Sequence, residues 1–499
     1  MGIVARQSII TSIISYTGIV VGYLNLVFLY PKYLELQEIG LLRTIQDAAM
    51  LMVPVASFGL PQVISRYYPR YSTEGSRYSG FLGLLFITAT AGILIVCVIF
   101  ALTHGLIMSS FAEKAPMVIG HSGLILLLVA LLSYYGILEQ LARSQLQIAI
   151  PAFLREVFMR LLQAGVVLLY AATAINLEQF LMLSVLLYGI LILLLISRLK
   201  LLKQAPSMNF RKFQSGEFRE IFLFGLTGFI GIGSSMVIAK IDSLMVSGII
   251  GLEAAAIYTT TFYMATVIEV PKRALTQSTI AILSVAFEKN DLHSAAKIYK
   301  QTALNQMIIG GLLLVGLWAN TPSIFLLMPR GDLYAAGFYV IALVGATRLI
   351  DMSFGPSSEI IGLSKHYWFN LIVISVLALL TILLNYFLIP AYGINGAAIG
   401  TLISIFCFNL IKFLFISIRL GITPFSSKTI TTIIIIALTT GLNFIIPVFD
   451  NVWADIFIRS LILSLFYSGL ILLLKCSPEL SEQLTIILEK SGLKKRFKH

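Results

Sequence analysis

The sequence predicts an all-α polytopic membrane protein of about fourteen spans, and three observations carry that prediction. Hydrophobic residues make up 58% of the 499-residue chain and charged residues only 12%. Mean hydropathy is +0.94. Apolar runs of about 20 residues, enough to cross a hydrocarbon core of roughly 30 Å, recur from end to end between short polar breaks. A chain this apolar has too little polar surface to stay in water.

The breaks place the spans at about 8–30, 40–65, 80–103, 122–141, 153–174, 177–197, 221–249, 254–276, 302–320, 334–361, 369–389, 394–417, 429–449 and 454–474. The first run follows Gln7 directly and is too long, without a small-residue cleavage site, for a removable signal, so it is expected to remain as a transmembrane helix. An even count puts both termini on one side. That side carries nearly all the loop cations, among them Arg66, Arg70, Arg143, Arg198, Lys272, Arg273, Lys365, Arg419 and Lys475, against Lys32, Lys114 and Arg330 on the other. Both termini are therefore expected in the cytoplasm.

The net charge of +12 has the same origin. The cations are scattered over loops rather than gathered into one stripe, which excludes a nucleic-acid partner. Cys97, Cys407 and Cys476 form an odd set in or beside spans and imply no disulfide framework.

A faint internal repeat divides the spans. Arg6-Gln7 precedes Gly18 as Arg219-Glu220 precedes Gly231, and Ile175-Asn176 opens a span ending at Arg198 as Ile394-Asn395 opens one ending at Arg419. The expected organisation is an N-terminal bundle at 1–200, a cytoplasmic linker at 201–220, a C-terminal bundle at 221–420, two further helices at 421–475 and a basic tail at 476–499. Each bundle holds about six helices. In the tail, Leu480, Leu484, Ile487 and Leu488 line one stripe before Lys494, Lys495 and Arg496, a pattern suited to the surface of membrane lipids.

Several chemistries lack their motifs. There is no P-loop for ATP hydrolysis, no HExxH or paired CxxC, and the five histidines are dispersed, so neither a metal site nor a cofactor is expected. The longest outward loop, about His104 to His121, is short for holding the acceptor of a membrane polymerase or ligase, which argues against an enzyme.

The informative residues are charges inside the spans, since each costs about 2.5–3.5 kcal/mol at a helix centre and persists only beside a partner or a wet cavity. Arg43 and Asp47 share a face of span 2. Lys240 and Asp242 lie in span 7, Glu269 precedes Pro271 in span 8, and Arg348 and Asp351 are three residues apart in span 10. Lys412 and Arg459 read as structural, as do Glu139 and Arg160. Arg43, Lys240 and Arg348 suit a pyrophosphate, and Asp47, Asp242, Asp351 and Glu269 a coupling proton or sodium ion; the alternative is that these charges, among them Arg43 with Asp47 and Arg348 with Asp351, are neutralising pairs or snorkelling groups. Pro54, Pro61, Pro271 and Pro356 fall on the same spans and predict kinks, which membranes tolerate where protein or water satisfies the freed carbonyls.

Three stretches carry a family resemblance: Phe58-Gly59-Leu60-Pro61-Gln62 running into Ser65-Arg66-Tyr67-Tyr68, Lys240-Ile241-Asp242 to Glu253, and Leu388-Ile389-Pro390-Ala391-Tyr392-Gly393-Ile394-Asn395-Gly396. With the helix count, the chain resembles the polysaccharide (O-antigen) flippase family of the multidrug/oligosaccharidyl-lipid/polysaccharide (MOP) exporter superfamily. That resemblance implies a V-shaped, MATE-like pair of bundles in the bacterial inner membrane. It implies alternating access that moves an undecaprenyl-pyrophosphate-linked oligosaccharide outward, with Arg43, Lys240 and Arg348 in a cationic cavity and H+ or Na+ as coupling ion. Glycosyltransferases and a glycan polymerase are the implied partners. A cation-coupled small-molecule exporter and a glycan polymerase or ligase are the alternatives.

Overall fold

The computed structural model describes residues 3–72, 75–199, 206–207 and 216–477, and every regular element among them is a helix. All but the first two residues of the expected basic tail, and most of the expected linker, lie outside the described residues. Among the described residues, eleven helices are long and apolar enough to cross a bilayer. The other three expected spans are also helical, but 149–171 is interrupted by π-helical Leu154–Phe158, 252–288 by the 3-10 turn Thr266–Glu269, and Ser427–Leu442 is short.

The chain divides into two compact units, Met1–Thr260 with Ile374–Ala397, and Thr261–Val373 with Ala398–His499. The helix Glu217–Ile249, expected to open the second half, belongs to the first unit because it packs along the helix Leu36–Ser57.

In chain order the first unit contains α1 (Ile3–Tyr23), α2 (Leu36–Ser57), α3 (Leu60–Tyr71), α4 (Gly75–Ala112), α5 (Ser122–Ser144), α6 (Met159–Ala171), α7 (Leu177–Leu199), α8 (Glu217–Ile249) and the start of α9 (Leu252–Ala265). Helix α2 is its centre, packed on α4, α5 and α8. It starts at a capping box in which Glu35 and Glu38 each bond the other's end of the first turn. Just inside that start, Gly40 lies against the backbone of Leu252, where a Cβ would overlap the carbonyl.

Span 2 is expected to reach residue 65 with kinks at Pro54 and Pro61, yet α2 runs through Pro54 and stops at Ser57. Phe58 (φ 43°) and Gly59 (φ 70°) are both left-handed, and a new helix, α3, begins with Pro61 in its first turn. Gly59 meets two demands here. Its φ suits only glycine without strain, and a Cβ would strike the backbone of Gly225 on α8. The apolar run continues through the break to Ile64, so hydropathy alone does not show it.

The second unit contains α10 (Val270–Glu288), α11 (Leu292–Leu327), α12 (Phe338–Ser353) and α13 (Ser357–Leu363). Helix α14 (Trp368–Tyr392) crosses from this unit into the first. The second unit then holds most of α15 (Ile394–Leu420), followed by α16 (Ser427–Leu442) and α17 (Val452–Leu473). Helix α11 is its centre, packed on α10, α12, α16 and α17. The last two helices are fastened by a buried pair. Arg459 bonds Asp455 at 2.8 Å and also Asn443 and Pro447, while Asp455 accepts from Ser323 and Phe449. A buried charge pair with its remaining donors and acceptors satisfied is a structural clamp, in keeping with the structural reading of Arg459.

Candidate substrate and coupling sites in the two units

Helix-forming apolar sequence surrounds each intramembrane charge, so its position along the chain fixes its depth while tertiary packing chooses its partner. In the first unit, Asp47 on α2 pairs with Lys240 on α8 at 2.8 Å and accepts a hydrogen bond from Ser243. The carboxylate is buried, whereas the lysine side chain is 30% exposed. Arg43, expected to share a face with Asp47, instead donates to Gln46 at 3.2 Å and lies 5.8 Å over the ring of Tyr30. Its Nε is buried with no hydrogen-bond partner. Among the described residues Arg43 makes no ion pair, so its guanidinium keeps unused donors.

Asp242, two residues beyond Lys240, is also buried. It accepts from Tyr258 at 2.9 Å and from the Nδ2 of Asn385 at 2.6 Å. The other end of that amide, Asn385 Oδ1, is buried without a hydrogen-bond partner.

In the second unit, Arg348 and Asp351 each bind across to a neighbouring helical segment. Arg348 meets Glu269 at 3.1 Å, and Asp351 meets Lys272. Both pairs are offset by 79 residues, so the segments around 269–272 and 348–351 run parallel and present two rungs of opposite polarity. Arg348 also lies 5.4 Å over Phe262, and its Nε is buried without a partner. Asp351 accepts from Asn409 Nδ2 at 3.0 Å, and Asn409 Oδ1 is likewise unpartnered. Two aspartates, one per unit, therefore sit beside an amide with an unused oxygen.

Helix breaks accompany these charges, as the prolines predict. Glu269 closes a 3-10 turn and Pro271 lies in the first turn of α10. Asp351 lies two residues before the end of α12, and the chain turns through Gly355 and Pro356 into α13.

Several residues here escape reasoning from sequence. Lys412, read as structural, is 2% exposed, bonds Ser358 at 3.0 Å and lies 3.8 Å from the Phe408 ring centre. Asn385 and Asn409 did leave a signal, since each is an amide inside an otherwise apolar run. Lys272 looked like a loop cation of topological value only. At Glu139 the structural reading fits, because it takes bonds from Arg143 at 2.7 Å and Arg155 at 2.8 Å. At Arg160 an ion pair with Glu156 and a bond to the Gly18 carbonyl fit it too.

This arrangement of charges inside broken apolar helices can be set against known proteins. A family model described as "Polysaccharide biosynthesis protein" matches residues 4–280, more than half of the chain. The chain belongs to the polysaccharide biosynthesis protein family. No curated protein matches it in sequence. Its fold is that of MOP superfamily transporters. A structure of the lipid II flippase MurJ in an inward closed conformation superposes with TM-score 0.75 at 15% identity, covering 93% of this chain and 98% of that one. An inward-facing MATE multidrug resistance transporter gives 0.61 at 13% identity, with 84% and 98% covered. A MOP superfamily transporter from Pyrococcus furiosus gives 0.56 at 14% identity, with 83% and 96% covered. This member of the polysaccharide biosynthesis protein family is thus a multi-pass membrane protein.

Proposed function

We propose that the protein is a flippase that moves a polyprenyl-pyrophosphate-linked oligosaccharide across the bacterial inner membrane by alternating access, with both termini in the cytoplasm. The family supports a role in polysaccharide synthesis, and the fold supports a transporter rather than an enzyme. The observation that carries the reading is the set of cations inside the spans that are free to change partners: Arg43 with no ion pair among the described residues, Lys240 on Asp47 and Arg348 on Glu269.

The chemistry follows from charge balance. A diphosphate entering the first unit takes the unused donors of Arg43 in bidentate fashion and draws Lys240 away from Asp47. Asp47 is then left as a buried, uncompensated carboxylate, a state costing several kcal/mol. A proton or sodium ion at Asp47 removes that cost, so binding of the anion and uptake of the cation assist one another. In the second unit the same exchange at Arg348 exposes Glu269. Asp242 and Asp351, each beside an unused amide oxygen, are the other carboxylates suited to a coupling ion, since hard cations favour oxygen ligands.

Replacing Arg348 with Ala is expected to abolish surface polysaccharide while the protein still inserts, as checked by glycan staining and membrane immunoblotting. Normal polysaccharide in that variant would remove Arg348 from the site. The likeness to MATE transporters supports a second reading, cation-coupled export of small organic molecules. Drug sensitivity on deletion, with the glycan intact, would favour it.

A further inference from the structure

The break between α2 and α3 does more than bend a span. It opens a lateral cavity of about 370 Å³, walled by Phe58, Leu60 and Val63 at the break, Leu84, Leu85 and Thr88 on α4, and the first turns of α8. The volume falls within the range of about 300–1,000 Å³ usual for small-molecule sites. Its back is closed by the buried side chains of Leu60, Val63, Leu85 and Ile221, and its front by the exposed rings of Phe218 and Phe222. Phe58 stacks on Phe222 with centroids 5.0 Å apart. An apolar slot of this size suits a hydrocarbon chain, since leaving it empty forfeits dispersion contacts along its wall.

One residue of the lining is charged. Arg219, in the first turn of α8, is exposed and makes no ion pair among the described residues. Its acidic neighbours are already engaged, Glu217 by Arg70 at 2.7 Å and Glu220 by Tyr67 at 2.9 Å. The first turn of a long helix also carries the positive end of its dipole. The mouth of the slot therefore favours a phosphate.

We infer that the slot between α2, α3, α4 and α8 holds one acyl chain of an anionic glycerophospholipid, with its phosphate on Arg219. A long polyprenyl chain would project far beyond a cavity of this size, so the occupant is a resident membrane lipid and not the cargo. Occupancy supports the α2–α3 break, where the regular run of helical backbone is interrupted.

The test is native mass spectrometry of the purified full chain given phosphatidylglycerol or phosphatidylcholine with matched acyl chains. One tightly retained lipid is expected, with phosphatidylglycerol preferred about fivefold, the effect of one interfacial arginine. Arg219→Gln should bring the two lipids to parity, and Thr88→Trp, which fills the slot, should remove the retained lipid in both cases. Melting temperatures show which variants are folded, and the two are read separately so that loss of one leaves the other. Equal retention of both lipids by the unaltered protein overturns the assignment, as does an undiminished preference in folded Arg219→Gln or a retained lipid in folded Thr88→Trp. One-for-one displacement by a polyprenyl phosphate also overturns it, since the slot would then belong to the cargo.

Discussion

At the level of single residues, the membrane makes each ionised group conspicuous and leaves its partner to be found by packing. Lys240 and Asp47 are the sharpest case. Asp47→Asn leaves Lys240 without its counter-ion and Lys240→Met leaves a buried carboxylate. Removing one partner of a fully buried pair costs about 3–5 kcal/mol. The lysine here reaches solvent, so about 2 kcal/mol is expected for either variant. The exchange Asp47→Lys with Lys240→Asp should restore thermal stability in detergent yet leave surface polysaccharide lost, because a diphosphate would then meet the charges in the wrong places. Recovery of both properties would make the pair purely structural. These partners lie far apart in sequence, as do Glu269 with Arg348 and Lys272 with Asp351. Helical spacing of three or four instead suggested Arg43 with Asp47 and Arg348 with Asp351 as neutralising pairs. The candidate residues were therefore legible from their cost in a bilayer, but their pairings were not.

At the level of elements, apolar run length located the helices and missed their interruptions. Hydropathy is blind to the left-handed step at Phe58 and Gly59, because it reads side-chain polarity and not backbone angles. Replacing Gly59 with Ala should lower stability by about 1–3 kcal/mol through strain at positive φ, with a further loss from the clash at Gly225, measured as a drop in melting temperature. An unchanged melting temperature would mean that the break is plastic. Run length also missed the start of α11, which begins at Leu292 where span 9 is expected from residue 302. Asp291 caps α11 by accepting from the Ser294 backbone at 3.0 Å, and hydrogen bonds from the Ser294 side chain and backbone hold its carboxyl below the usual range. The cap is thus fully present above about pH 4, the unfolded carboxylate value, and is lost as pH falls through the lower folded value. Hydrogen exchange in the first turn of α11 should follow that dependence, and Asp291→Ala should abolish it.

At the level of the whole molecule, the composition alone assigns the chain to a membrane and the family model assigns it to polysaccharide synthesis. The repeat suggested two halves meeting at the linker. In the structure α8 packs along α2, and α8 and most of α14 belong to the first compact unit. Each unit nonetheless keeps two of the same chemical parts, ion-paired charges inside apolar helices and an aspartate next to an amide with a spare oxygen. That duplication is the physical basis for proposing coupled movement of an anion and a cation. The most direct test reconstitutes the purified protein in liposomes with a defined polyprenyl-pyrophosphate-linked oligosaccharide and follows its transfer between leaflets, with and without an imposed proton or sodium gradient. The account predicts transfer that one of the gradients accelerates and that Arg43→Ala removes; transfer no faster than in protein-free liposomes under every gradient would contradict it.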